Sequence, residues 1–436
     1  MKNTPNCPDG VRRARAKRKH EYVLLFLLAL VFIIQSCKLD PPLIPDSLTH
    51  PTPTDTIPAT PTDTIPTTPP IGTTDTVITD TITPATARFN QLKAWNAFKA
   101  SANDRYDLLL IGDSYTQGNF YSWRLRGKLL IDGFNDGGPG YDSFGRWDPM
   151  FMFSIDASMD LQELTFDYDP LLWNTSPGDY YGPCGNVTNN TPNALITVSS
   201  KVLLNTMTII YERHAGAGSF RYRVNGGAWT TISTASTTED IGNVVVNVSD
   251  AGDNIDLEIE PLAAGEVFCG VAGHRDGDGE ILTMHKVGSS GTTADYFAHN
   301  PLWQESIKLL EPKGAIIMFG TNEMDKNVEP AAMRVNIQHI IDQLKQAQPN
   351  CDIMIMCPPE TLYENEEPRK YKIANYADML FRLALANHVA FIDFAKVFPH
   401  FSQASIDADI MSTDRKHPGD AGSELMAETI FKAFKK

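Results

Sequence analysis

From Arg88 onward the apolar and polar positions follow two different rhythms. The block Asp107-Leu108-Leu109-Leu110-Ile111-Gly112 is short, continuous and apolar, which reads as a strand buried on both faces. Helical periodicity flanks it, near Ala87–Ala102 and Tyr121–Ile131. Between about 142 and 280 the pattern changes to short alternating runs, Val202–Tyr211, Phe220–Val224, Asn243–Val248 and Asn254–Glu260. These are broken by turn signals such as Asn225-Gly226-Gly227, the pattern of an all-β sandwich. After the apolar stretch Ile281–Val287 the α/β rhythm resumes. It predicts strands at Ala315–Phe319, Ile353–Met356 and Ala390–Ile392, and helices near Ala331–Ala347, Lys370–Ala386 and Gly419–Phe434. The expected architecture is α/β: a doubly wound parallel sheet built from residues 88–141 and 281–436, with a β-sandwich inserted at 142–280.

The N-terminal residues follow neither rhythm. A basic run, Arg12 to Lys19, precedes an apolar core from Tyr22 to Ile34 and the sequence Gln35-Ser36-Cys37. That core falls short of the roughly 20 residues a membrane helix needs, and residues 1–36 read as a secretory leader. Residues 37–87 are dominated by Thr, Pro, Asp and Ile, with Pro-Thr-Asp-Thr-Ile-Pro at 53–58 and again at 61–66. Such a segment has too little apolar surface to offset the entropy of ordering, so it is expected to be an extended tether reaching on the order of 150 Å. Loss of the leader would remove 7 basic and 2 acidic side chains and move the net charge from −16 to −21. That balance speaks against nucleic acid or anionic lipid headgroups as partners.

The candidate chemistry sits in two strings 300 residues apart. Gly112-Asp113-Ser114 follows the first buried strand, and Asp414-Arg415-Lys416-His417-Pro418 lies near the C-terminus. A serine hydroxyl needs a histidine to take its proton and a carboxylate to hold the imidazole's tautomer, so Ser114, His417 and Asp414 are a candidate nucleophile, base and orienting acid. Two further motifs fall at strand ends: Gly288-Ser289-Ser290-Gly291-Thr292-Thr293, and Gly320-Thr321-Asn322-Glu323. Acyl transfer also needs donors for the oxygen that becomes negative; the backbone N–H groups of Ser114 and Gly291 and the amide of Asn322 are the candidates.

In their order along the chain, Gly-Asp-Ser114, Gly291, Gly-x-Asn322 and Asp414-x-x-His417 resemble the SGNH (GDSL-type) hydrolases. The resemblance covers the whole α/β part. It implies a flavodoxin-like sheet, Ser114 as nucleophile, His417 as base, Asp414 as its partner and Gly291 with Asn322 as oxyanion donors. One position departs from the family pattern: Glu323 stands where Asp is more common. Peptidoglycan O-acetylesterases of this family carry an inserted sandwich similar to a carbohydrate-binding module, and some read Gly-Thr-Asn-Glu in the third block. This implies an acetylated glycan as substrate, peptidoglycan or another polysaccharide. The mechanism requires no metal and no organic cofactor. The Ser36-Cys37 junction resembles a bacterial lipobox, which implies lipidation at Cys37, attachment to a membrane through it, and a place in a Gram-negative-type cell envelope. The Asp-Thr-Ile/Val triplets of the tether are similar to O-glycosylation acceptors, a reading that stands beside that of a plain spacer.

Other residues carry plainer expectations. Asp276-Gly277-Asp278-Gly279-Glu280 lacks the Gly and closing Glu of a calcium loop and reads as a solvated hairpin turn. His274, His285 and His299 lack helical metal-pair spacing and read as pocket or surface histidines. Trp123, Trp147, Trp173 and Trp229 are read first as core residues and second as platforms for sugar rings. Cys184 and Cys269 are candidates to pair in an oxidising compartment, whereas Cys351 and Cys357 flank a strand and are expected to stay apart. Three functions fit the sequence: a carbohydrate O-deacetylase, an O-acetyltransferase with the same triad, and a noncatalytic glycan-binding lipoprotein.

Overall fold

The structure is a computed structural model that describes residues 92–101, 103–146, 164–174, 182–362, 364 and 369–435. The leader, Cys37, the tether and Trp147 lie outside the described residues. Among the described residues no helix is long and apolar enough to cross a membrane.

Five strands form the parallel sheet that the apolar blocks predict: β1 (Asp104–Gly112), β2 (Glu280–Gly288), β3 (Gly314–Met318), β4 (Asp352–Cys357) and β5 (Ala390–Asp393). Their spatial order is β5-β4-β3-β1-β2, the flavodoxin-like order, and a two-residue strand, Asn135–Asp136, extends the β2 edge. Alternate residues of β1 enter different cores because successive strand side chains point to opposite faces. Leu109 and Ile111 pack with the helices Ala294–Ala298, Trp303–Lys308, Pro330–Ala347 and Ile373–Asn387. Leu108 and Leu110 pack with Lys93–Lys99, Ser122–Ile131 and Asp420–Lys435. Helices on both faces make the sheet doubly wound. Lys93–Lys99 falls inside the helix-like stretch 87–102, of which 87–91 and 102 lie outside the described residues.

Between Asp136 and Glu280 the chain leaves the sheet and builds two antiparallel sheets. One holds Thr230–Ser233, Ser219–Val224, Ile255–Pro261, Ile196–Ser200 and Thr165–Tyr168; the other is centred on Thr206–Arg213 and Val267–His274. Their facing residues, among them Ile196, Ile209, Phe220, Ile259 and Phe268, form a separate apolar core. The strand Gly140–Ser143 already pairs with Val267–His274, so the antiparallel part begins two residues earlier than the composition shift indicates.

The sandwich packs onto the parallel sheet through a shared core that includes Tyr141, Cys184, Ile210, Cys269 and Ala272. Asn300 and Trp303 add side-chain hydrogen bonds to the carbonyls of Gly182 and Pro183 at 3.0 and 2.9 Å. Cys184 and Cys269 are both buried thiols here and not a disulfide. Cys351 and Cys357 are likewise separate thiols. Residues 275–279 link the sandwich to β2 rather than joining a hairpin, which corrects the sequence reading; Arg105 pairs with Asp276 at 2.8 Å across this link.

Candidate active site

β1 and β3 lie side by side, and β2 lies on the other side of β1, so three strand ends meet where the strand order reverses. Open α/β sheets place their sites at such a switch point. Gly112 ends β1 where a Cβ would lie 2.4 Å from Thr116 Oγ1 and 2.8 Å from the Met318 carbonyl, so only glycine permits the turn. Asp113 then caps the short helix Ser114–Gln117, its Oδ1 accepting the Tyr115 amide at 3.0 Å. Ser114 is thereby fixed at the mouth of the sheet, 5% exposed.

The spacing of Asp414 and His417 has a local cause. One Asp414 oxygen accepts the backbone amides of Lys416 and His417, both at 2.9 Å, and the turn is closed with Arg415 at a left-handed φ of 65°. A carboxylate that holds the amides two and three residues on brings its other oxygen against the third side chain. His417 Nδ1 donates to that oxygen at 2.6 Å, and His417 Nε2 accepts from Ser114 Oγ at 2.7 Å. Asp414 is half-exposed, and burial raises its pKa somewhat. The bonds from His417, Ser412 and the two amides outweigh burial and hold the carboxyl well below the usual carboxylate range.

The imidazole packs against two neighbouring rings, neither of which carries a sequence signal for the site. Phe120 stacks on it at 5.0 Å with planes 10° apart, and Tyr115 lies 5.3 Å away, tilted. The Tyr115 hydroxyl donates to the Lys416 carbonyl at 2.5 Å, and the Lys416 ammonium pairs with Asp325. The histidine turn is therefore tied to both the serine helix and the loop after β3.

The loop after β2 packs on the serine helix. The Ser289 amide donates to the Gly112 carbonyl at 3.0 Å, and the Ser290 amide to Gln117 Oε1 at 2.5 Å. Gly291 has φ +73 and open space where a Cβ would stand. Asn322 reaches the same cleft, but its amide is engaged: Nδ2 donates to the Thr292 carbonyl at 2.8 Å and to Asp113 Oδ2 at 3.3 Å. The sequence expectation of an amide poised for a reacting oxygen is thus met in place and not in hydrogen bonding, since both protons already have acceptors.

Two carboxyls are buried beside the triad. Desolvation pushes Asp113 and Glu323 each up to about 7, and backbone amides pull both partly back. A carboxyl whose pKa is higher in the folded chain contributes stability that is complete at acid pH and is lost as pH rises through the folded value. The expected result is a melting temperature that falls between pH 5 and 8, read by calorimetry, with a shallower slope in Asp113→Asn. An equal slope in that variant contradicts the assignment.

The other histidines divide. Asp107, His274 and His285 come together, with ligand atoms within 4.8 Å of one another. However, His285 Nδ1 accepts the Tyr141 amide at 3.0 Å, so Nε2 keeps the ring proton, which it gives to Asp107 at 3.2 Å. A metal at Nε2 would require an imidazole stripped of both protons, and the group reads instead as a hydrogen-bonded joint between sheet and sandwich. Desolvation and the neighbouring His285 lower His274 to about 4. His299 stands apart, exposed and paired with Asp295. Trp173 fills the sandwich core, whereas Trp229 lies against the guanidinium groups of Arg221 and Arg223 at 4.5 and 4.4 Å, and Trp123 against Arg124 at 4.4 Å.

A family model described as GDSL-like Lipase/Acylhydrolase family matches residues 271–425, the stretch that holds Gly291, Asn322, Asp414 and His417. The chain carries a GDSL-like lipase/acylhydrolase domain. The fold is that of the SGNH hydrolases. Ser114 lies before the matched stretch, across the sandwich, and the fold returns it to His417. A solved peptidoglycan O-acetylesterase is similar over 79% of this chain and 95% of its own, with 16% identity and a TM-score of 0.62. An acetyl-xylooligosaccharide esterase from Geobacillus is similar over 36% of this chain and 74% of its own, with 19% identity and a TM-score of 0.31. No curated protein matches the chain.

Proposed function

We propose that this GDSL-type domain is a serine esterase that removes O-acetyl groups from a glycan, by way of an acetyl-enzyme on Ser114. The observation that carries this reading is the continuous relay from Asp414 through His417 to Ser114 at 2.6 and 2.7 Å. Ser114 Oγ attacks the acetyl carbonyl and passes its proton to His417 Nε2. The oxygen that becomes negative is met by the backbone N–H groups of Ser114 and Gly291 and by Asn322, which gives up its longer bond to Asp113. His417 returns the proton to the departing sugar hydroxyl. It then takes a proton from water as the water oxygen attacks the acetyl carbon. That proton goes to Ser114 Oγ as the ester bond to the serine breaks, releasing acetate and restoring the free serine.

Likeness of fold to the solved peptidoglycan O-acetylesterase supports an acetylated polysaccharide as substrate. In this reading the leader and Cys37 place the enzyme on a lipid anchor in a bacterial envelope, and residues 38–87 let it reach a polymer away from the membrane. The test is acetate release by the full chain from acetylated peptidoglycan and from acetylated xylan. Release from either supports the reading, and release from neither, with aryl acetates also left intact, contradicts it. Asn322→Ala is expected to lower kcat about 10²- to 10³-fold with little change in KM. A kcat within a few-fold of the parent's would remove Asn322 from the oxyanion site.

A further inference from the structure

The loops that carry Gly291 and Asn322 come from different strands, and something must fix their separation. Glu323 spans them. Its side chain is buried at 1% exposure; Oε1 accepts the Ala294 amide at 2.7 Å and Oε2 accepts the Gly320 amide at 2.9 Å. Each contact fills a local gap. Ala294 opens the helix Ala294–Ala298, whose own N-cap, Thr293, makes no side-chain capping bond. Gly320 is the N-cap of the helix Thr321–Asp325 and has no side chain to offer. One carboxylate therefore satisfies buried amides at the starts of two short helices, one after each loop. A third tie joins the same two loops, from Asn322 Nδ2 to the Thr292 carbonyl at 2.8 Å.

We propose that Glu323 is a positioning residue whose carboxylate, bridging Ala294 and Gly320, sets the distance between the Gly291 and Asn322 donors. The inference rests on the hydrolase reading of the site. Glutamate has the length the bridge requires: aspartate, one methylene shorter, reaches one amide and releases the other. Glutamine keeps the length but turns an NH2 group toward one of the two N–H donors. Either change leaves Ser114, His417 and Asp414 untouched.

The test compares Glu323→Asp and Glu323→Gln with the parent full chain by three readouts. These are kcat and KM on nitrophenyl acetate, the rate at which a fluorophosphonate forms its tetrahedral adduct on Ser114, and hydrogen exchange at the Ala294 and Gly320 amides. The expected result for Glu323→Asp is a loss of about 10²-fold in kcat with KM within a few-fold, matched by the adduct rate. Faster exchange at one of the two amides accompanies it. In an Asn322→Ala background the same change costs much less, since the donor it positions is gone. Should Glu323→Asp melt below the assay temperature, Glu323→Gln carries the test by the same readouts. Parent-like kcat and adduct rates in the variants overturn the inference alone, as does a loss that multiplies in full with that of Asn322→Ala. A parent chain that neither hydrolyses the ester nor takes the probe overturns the hydrolase reading and this inference with it.

Discussion

Ser114→Ala is expected to lower ester turnover about 10⁶-fold, to the level left by binding and the oxyanion donors alone. The residue makes one side-chain contact of consequence, with His417 Nε2 at 2.7 Å, so its removal takes the nucleophile and disturbs little else. His417→Ala is expected to cost nearly as much, and the double variant no more than either, because nucleophile and base act as one unit. Steady-state kinetics on nitrophenyl acetate check both, with melting curves to show that the fold is kept. A Ser114→Ala chain within tenfold of the parent would contradict the proposed mechanism.

Asp414→Asn is the second large effect, about 10⁴-fold in kcat. An asparagine in this turn presents either an NH2 group to His417 Nδ1 or, if flipped, two N–H donors against the amides of Lys416 and His417. The first arrangement favours the tautomer that carries its proton on Nε2, which cannot accept from Ser114. The stability consequence has a definite sign. A carboxyl held below the usual range contributes stability that is present above the unfolded value, here the ordinary 3.8, and lost as pH falls through the lower folded value. The parent is therefore expected to lose more stability than Asp414→Asn on acidification below pH 4, by urea titration. Equal losses in the two chains would show that Asp414 is not held ionised by its turn.

What the sequence made legible is what has a local cause. Asp414 and His417 are readable because the turn that joins them is three residues long and the carboxylate itself closes it. Ser114 is readable because a continuous apolar run must be a buried strand, and the Gly-Asp that follows supplies a tight turn and a cap. The five sheet strands and the sandwich are readable by period. The edge strand Asn135–Asp136 is not, since two residues carry no period. The role of Glu323 is equally hidden, because one of its acceptor bonds crosses to Ala294, 29 residues away. The same holds for Phe120 and Tyr115, whose aromatic character says core until the fold sets them against His417. The bond from Asn322 to Thr292 shows a further limit: sequence places an amide at a strand end but does not say which acceptor holds it.

The most direct test of the central claim is to incubate the full chain with an aryl acetate, quench in acid, and read the peptide containing Ser114 by mass spectrometry. The proposed mechanism predicts an acetyl group on Ser114 that accumulates within the first turnover, and an unmodified peptide from Ser114→Ala. Acetate released at the parent's rate with Ser114 never acetylated would contradict it.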